Sequence, residues 1–231
     1  MNSPLFHRFC LLSIVLSTAF ALNAVASPIG SRAPRESSDK PRPITPVQVP
    51  QGQELATFAA GCFWSMEALF EELKGVQKVE PGYAGGYISN PNYQQVCEGI
   101  TGHAETVNIF FDPKVVSYRA LVEIMLTVRN PTTLNRQGAD EGTNYRSAIF
   151  YHNEEQKKCA QEAMEQMTTA HIWRAPIVTE VTGFTNFYAA EDDHRDYYQR
   201  HLGDSYARLT VLPAIVMLRE KFPSKVKTQL K

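Results

Sequence analysis

The segment Gly61-Cys62-Phe63-Trp64 places a thiol between a short apolar run (Leu55, Ala56, Phe58) and a stretch with Phe63, Met66, Phe70 and Leu73 at helical spacing. A cysteine at a strand-to-helix turn lies beside unpaired backbone N–H groups, which stabilise an anion. A free thiol titrates near about 8.5, and helix N-termini bring it toward or below neutrality. The position therefore predicts thiolate character, against the plainer reading of a buried structural cysteine. A second segment, Gly102-His103-Ala104-Glu105, leads from a glycine turn into a strand whose first position is a carboxylate. Walled by aromatic rings, that carboxylate would have a raised pKa and be protonated near neutral pH, as a general acid must be; at a strand edge it would be an ordinary surface glutamate. A third segment, Gly138-Ala139-Asp140-Glu141-Gly142-Thr143-Asn144-Tyr145, is a polar loop in which Asp140 and Tyr145 are candidates to hydrogen-bond a polar substrate. His103 has no second His or Cys at a metal-ligand spacing, so no metal site is expected.

The elements that must position these groups follow from periodicity. Glu54 to Ala60 reads as a strand, and Gly61 opens a helix. Pro81 to Gly102, dense in glycine and tyrosine, keeps no period and reads as a loop. Glu105 to Phe111 alternates as a strand through Val107, Ile109 and Phe111. Ser117 is an N-cap for a helix carrying Leu121, Ile124, Met125 and Val128, which stops before Asn130 and Pro131. A strand over 146–152, a helix capped by Asn153 and running to Ala170, a strand over 177–182, a polar helix over 189–202 and a short tail helix over 213–222 complete the order. Strands and helices in this succession suit an α+β fold, a mixed sheet with helices largely on one face.

The chain has 231 residues and a formal net charge of −1, so no global field favours nucleic acid or an anionic membrane. Residues 1–26 read as a signal peptide: a basic start (His7, Arg8), the apolar run Phe9 to Leu22 and the small residues Ala24 to Ser27. The run is shorter than the roughly 20 residues of a membrane span, so a protein exported, to a periplasm for instance, and free of the membrane after cleavage is expected. Residues 27–52, rich in Pro, Ser, Arg and Gln, read as a disordered linker. A catalytic domain over 53–207 and an irregular tail with a short helix over 208–231 follow. Cys10 falls within the leader, leaving Cys62, Cys97 and Cys159, an odd number that signals a reactive thiol.

The run Gly61-Cys62-Phe63-Trp64, Gly82-Tyr83-Ala84-Gly85-Gly86, Tyr93, Val96-Cys97, Gly102-His103-Ala104-Glu105, Tyr145-Arg146-Ser147-Ala148-Ile149 and Ala190-Glu191-Asp192-Asp193-His194 resembles, in order, the A-type peptide-methionine (S)-sulfoxide reductase family. The resemblance spans about Leu55 to Tyr206. It implies a ferredoxin-like two-layer core and reduction of the S epimer of methionine sulfoxide, free or in proteins; no cofactor is expected, and a monomer is the default for the oligomeric state. It makes Cys62 the nucleophile, Glu105 the proton donor, and Tyr93 and Tyr145 hydrogen-bond donors to the sulfoxide oxygen. Phe63 and Trp64 would wall the methyl pocket, and Asp140, His194 and Tyr206 would line the rest.

Attack would leave Cys62 as a sulfenic acid that must be reduced before another turnover. Many family members carry resolving cysteines in a glycine-rich C-terminal tail, whereas Gly203 to Lys231 contains none. Cys97 shares a loop with Tyr93, and Cys159 lies on the packing face of its helix. A single-cysteine cycle, in which an external thiol such as thioredoxin, glutaredoxin or a small thiol reduces Cys62 directly, is therefore expected. Two other readings use the same residues: a thiol peroxidase, which needs no methyl pocket, and a binding module for oxidised methionine.

Overall fold

A computed structural model describes residues 47–228. The expected signal peptide, most of the linker and the last three residues lie outside the described residues. In chain order the elements are β1 (Glu54–Ala60), α1 (Phe63–Glu71), β2 (Val76–Ala84), α2 (Tyr93–Cys97), β3 (Ala104–Phe111), α3 (Tyr118–Val128), β4 (Arg136–Gln137), β5 (Asp140–Glu141), β6 (Ser147–Tyr151), α4 (Glu154–Thr169), β7 (Glu180–Gly183), β8 (Phe187–Ala189), α5 (Tyr197–Arg200) and α6 (Leu212–Lys221). Short 3-10 turns cover Thr143–Tyr145 and Asp192–His194, and a π-helical turn over Ala207–Val211 runs directly into α6. The fold is α+β with a mixed sheet.

Six strands form the main sheet in the order β7-β6-β1-β3-β2-β8, antiparallel throughout except for the parallel pair β6 and β7. This alternation fixes the position of the chemistry. The C-terminal ends of β1 and β2 and the N-terminal ends of β3 and β6 meet at one end of the sheet. That end carries Cys62, the loop after Ala84, Glu105 and Tyr145.

Strand β1 is central and buried on both faces. Its even positions, Phe58 among them, join the core under the helices with Met66, Phe70, Ile109, Leu121 and Ile149. The other face packs more shallowly, through Ala59, Ala84, Ala104, Ala148, Phe150 and Phe187. Phe58 meets the rings of Phe70 and Tyr118 at 5.9 and 5.8 Å, and each such fully buried side chain contributes about 1.5–3 kcal/mol. Ser117 accepts from Ala120 N–H and Asn153 from Gln156 N–H, as helix N-caps do.

Three expectations are corrected. The loop expected from Pro81 begins inside a strand: β2 continues to Ala84, and its Pro81 stands opposite Val107. Strand β8 pairs with Gly82 to Ala84, and that pairing ends where Ala190 N–H donates to the Pro81 carbonyl at 2.9 Å, so Pro81 stands at its end, where a residue without an N–H is tolerated. The polar helix expected over 189–202 is instead the end of β8, a 3-10 turn and the four-residue α5, broken at Asp196 with φ +50°. The segment after 207 is not irregular. Helix α6 packs on α1 and α3, and Val226 pairs with Leu73.

Candidate active site

Gly61 adopts φ +87°, a conformation that side chains oppose, and turns the chain from β1 into α1. Cys62 is then the extended N-cap of α1 and is 4% exposed. Glu105 stands two residues before Val107 in β3, and side chains two apart share a face of the strand. Its carboxylate therefore reaches the start of α1: Phe63 N–H donates to Oε2 at 3.0 Å. Asn144 Nδ2 donates to the other oxygen at 3.5 Å. Glu105 is 1% exposed. Burial pushes its carboxyl up to about 7, against the opposing pull of Phe63 N–H, the Cys62 thiol and the Asn144 amide. A carboxylic acid at half-protonation near neutral pH can donate a proton.

The thiol itself does not meet the sequence expectation of a lowered pKa. Burial pushes Cys62 well above the ordinary thiol value and negative charge on Glu105 adds to the rise, while the Tyr206 hydroxyl and Trp64 N–H draw it back. The first N–H of α1 serves the carboxylate rather than the sulfur. Cys62 and Glu105 therefore titrate as a pair, and a second negative charge in this small volume is opposed by the first.

Aromatic rings enclose the pair. Phe63 lies 5.8 Å from Tyr83, 6.1 Å from Trp64 and 6.1 Å from Tyr93. Tyr93 meets His194 at 4.2 Å, and Trp64 stacks on Tyr197 at 3.6 Å and takes Tyr206 edge-on at 5.8 Å. Trp64 Nε1–H donates to His194 Nδ1 at 3.3 Å, which uses that nitrogen as an acceptor, and burial lowers the His194 pKa, which favours the uncharged ring. Tyr206 donates to Asp140 Oδ2 at 2.9 Å and presents its hydroxyl to the Cys62 sulfur. Charge on Glu105 and Cys62 acts on Tyr93 and Tyr145 alike. Phe63 is fully buried, whereas Trp64, Tyr93, Tyr145 and Tyr206 are partly exposed. The site thus has an apolar floor and a rim of hydroxyls.

All nine residues singled out in the sequence come together here: Cys62, Phe63, Trp64, Tyr93, Glu105, Asp140, Tyr145, His194 and Tyr206. Cys97 lies behind Tyr93, whose hydroxyl faces its thiol, and Cys159 lies on α4 near Tyr118. All three described cysteines are free. His103 is a clamp for the glycine-rich loop, accepting Gly86 N–H at Nδ1 and bonding the Ile88 carbonyl through Nε2. Three residues escaped the sequence reading as participants: Asn144, Tyr197 and Glu191. Glu191 accepts from Tyr83 Oη at 2.7 Å and Tyr93 N–H at 3.1 Å and so sets the tyrosine wall. Asn144 and Glu191 belong to quoted motifs, and that proximity was their one signal.

Residues 54–226 match the family model described as Peptide methionine sulfoxide reductase. The chain is 47% identical to a peptide methionine sulfoxide reductase MsrA of Polynucleobacter asymbioticus over 176 residues, 76% of this chain and 93% of that protein. A MsrA of Deinococcus radiodurans is also 47% identical, over 76% of this chain and 85% of its own. Among solved structures, Mxr1 from Saccharomyces cerevisiae in reduced form superposes with a TM-score of 0.64 at 31% identity, covering 68% of this chain and 91% of Mxr1. The methionine sulfoxide reductase A of Corynebacterium diphtheriae gives 0.60 at 31% identity, covering 71% and 86%.

Proposed function

The chain belongs to the peptide methionine sulfoxide reductase family and is a thiol-dependent oxidoreductase that reduces methionine sulfoxide in the repair of oxidised proteins; from that premise we propose that Cys62 is its nucleophile and Glu105 its acid, acting on the S epimer. The observation that carries this assignment is the carboxyl of Glu105, pushed up to about 7 and held by Phe63 N–H next to the Cys62 thiol.

A sulfoxide sulfur becomes electrophilic as its oxygen is protonated. The Cys62 sulfur bonds to the substrate sulfur while Glu105 delivers a proton to the oxygen, and Tyr93 and Tyr145 hold that oxygen by hydrogen bonds. The protonated oxygen then passes from the substrate sulfur to the Cys62 sulfur as the new sulfur–sulfur bond and the substrate S–O bond break, so that one thiol and one sulfoxide become one sulfenic acid and one thioether. Phe63 and Trp64 receive the methyl group, since aromatic rings favour contact with a thioether, and Asp140, His194 and Tyr206 line the remainder. Two equivalents of external thiol, supplied by a thioredoxin-like or glutaredoxin-like protein, return Cys62 to the thiol with release of water and a disulfide.

The strand order β6-β1-β3-β2, reached through two helical crossovers, supports a ferredoxin-like reading of the core. The basic start and apolar run of residues 1–26 support export, which cell fractionation with mass spectrometry of the mature N-terminus tests. For the chemistry, the protein is incubated with resolved S and R epimers of an N-acyl methionine sulfoxide and dithiothreitol. Loss of the S epimer alone, abolished in Cys62→Ser, is expected. Turnover of neither epimer by the folded protein, or undiminished turnover by Cys62→Ser, overturns the assignment.

A further inference from the structure

Arg129 ends α3 and is 5% exposed. Its Nε donates to the Ala60 carbonyl at 2.9 Å and its Nη1 to Ser65 Oγ at 3.0 Å. Both acceptors flank Cys62, one before it and one after. Nη2 is buried and has no hydrogen-bond partner. A Cβ placed on Gly61 would stand 2.7 Å from Nη2, so the free corner of the guanidinium lies against the residue that precedes the nucleophile. No ion pair among the described residues includes Arg129.

An unpaired buried cation is costly unless negative charge appears beside it. A guanidinium does not shed its proton to escape that cost. Burial opposes the Arg129 charge, and Tyr206, Cys62 and Asp140 lie within electrostatic reach of it; of these the cysteine is the one whose charge changes during the reaction, as it becomes a thiolate. We propose that Arg129 is the positioning residue and countercharge for Cys62: its Nε and Nη1 fix the turn that presents the thiol, and its free Nη2 favours the anion on the sulfur. This inference rests on Cys62 being the nucleophile. Its consequence is that the anion on Cys62, opposed by burial and by Glu105, is less costly than it would be without Arg129.

The test reads the thiol and not the reductase activity. The full-length chain and its Arg129→Met, Arg129→Lys, Arg129→Gln and Ser65→Ala variants are alkylated with iodoacetamide from pH 6 to 10, and the Cys62 peptide is followed by mass spectrometry, separately from those of Cys10, Cys97 and Cys159. The other titratable groups facing this thiol are unchanged in every variant: Glu105 on β3, Asp140 on β5, Tyr145 before β6, Tyr93 on α2, Tyr197 on α5 and Tyr206 before the π turn. Arg129→Met and Arg129→Gln are expected to move the Cys62 midpoint up by about one pH unit, roughly a ten-fold slower reaction below the midpoint. Arg129→Lys is expected to restore most of it, and Ser65→Ala to move it little. If Arg129→Met does not fold, the Lys and Gln pair carries the comparison. A parental midpoint in the folded neutral variants overturns the proposal, as does an equal shift in Lys and Gln, which would make the role one of packing alone. Failure of methionine sulfoxide turnover in the parent would instead strike the functional assignment and leave these profiles readable.

Discussion

The main-chain N–H of Phe63 donates to Glu105 Oε2 at 3.0 Å, so the residue that follows the nucleophile holds the acid by its backbone. Any substitution of Phe63 other than proline keeps this donor, whereas Glu105→Gln keeps an acceptor for it and removes the proton donor. The variant is expected to lose about 10²–10⁴-fold in kcat, the usual contribution of a placed general acid. The same change removes a negative charge that pushes the Cys62 thiol up, so alkylation of Cys62 at pH 8.5 should be faster than in the parent. Slower alkylation together with lost turnover would indicate a disturbed site rather than a missing proton.

Stability should fall as pH rises through neutrality. Burial pushes the carboxyls of Glu67, Glu71 and Glu105 up to about 7 from an ordinary 4.5. Between those values the folded chain holds protons that the unfolded chain releases, so their stabilising contribution is full below pH 4.5 and is lost as pH passes 7. For Glu105, 1% exposed, the difference between the limits is roughly 3 kcal/mol. Urea denaturation at pH 5 and pH 8 measures it: the parent should be more stable at the lower pH, and Glu105→Gln should narrow the gap. Equal midpoints for the parent at both values would show that these carboxyls ionise freely in the folded state.

The site was legible where local pattern and chemistry coincide. Strand β1, the glycine turn and the first turn of α1 follow from sequence periodicity, and the shared face of Glu105, Val107, Ile109 and Phe111 follows from the strand period. Strand β2 was hidden because Lys78 and Glu80 interrupt its apolar alternation and Pro81-Gly82 signals a turn; only pairing with β3 makes it a strand. The 189–202 segment has helix-forming composition but bends at Asp196, whose N–H is held by buried Glu67 from α1 at 3.1 Å, a tertiary bond with no local trace. Arg129 at the end of an apolar helix carries no local sign of burial, which depends on where Ala60 and Ser65 lie. Cys62 shows the limit of local reasoning most directly: the helix terminus promised a low pKa, and the desolvation that enclosed it prevailed.

Recycling should need no second cysteine of the chain. Cys159 is on α4 beside Tyr118, and the exposed Cys97 thiol is engaged by the Tyr93 hydroxyl. With dithiothreitol, Cys97→Ser and Cys159→Ser are expected to keep turnover within about two-fold of the parent, given surface-level effects on packing, while Cys62→Ser has none. One turnover without reductant, followed by mass spectrometry, should find Cys62 oxidised and no disulfide to either partner. A Cys62–Cys97 disulfide would establish an internal resolving step.

Tyr197 extends the substrate wall and should govern affinity. Its ring lies 3.6 Å from that of Trp64 and 6° from parallel, and Trp64 is in turn tied to His194 by its indole N–H. The stack is held from below, because Glu67 on α1 fixes Asp196, the residue before Tyr197. An aromatic pair of this kind is worth about 0.5–1.5 kcal/mol, so Tyr197→Ala should raise KM for the sulfoxide roughly 2- to 10-fold through a looser Trp64. kcat should change less, since neither Cys62 nor Glu105 touches Tyr197 by a hydrogen bond. Glu67→Gln should move KM in the same direction by a smaller factor, for it weakens the acceptor without removing the ring. Steady-state kinetics with the S epimer separates the cases: a fall in kcat at constant KM would place Tyr197 in the chemical step or in product release, and refute a role confined to the wall.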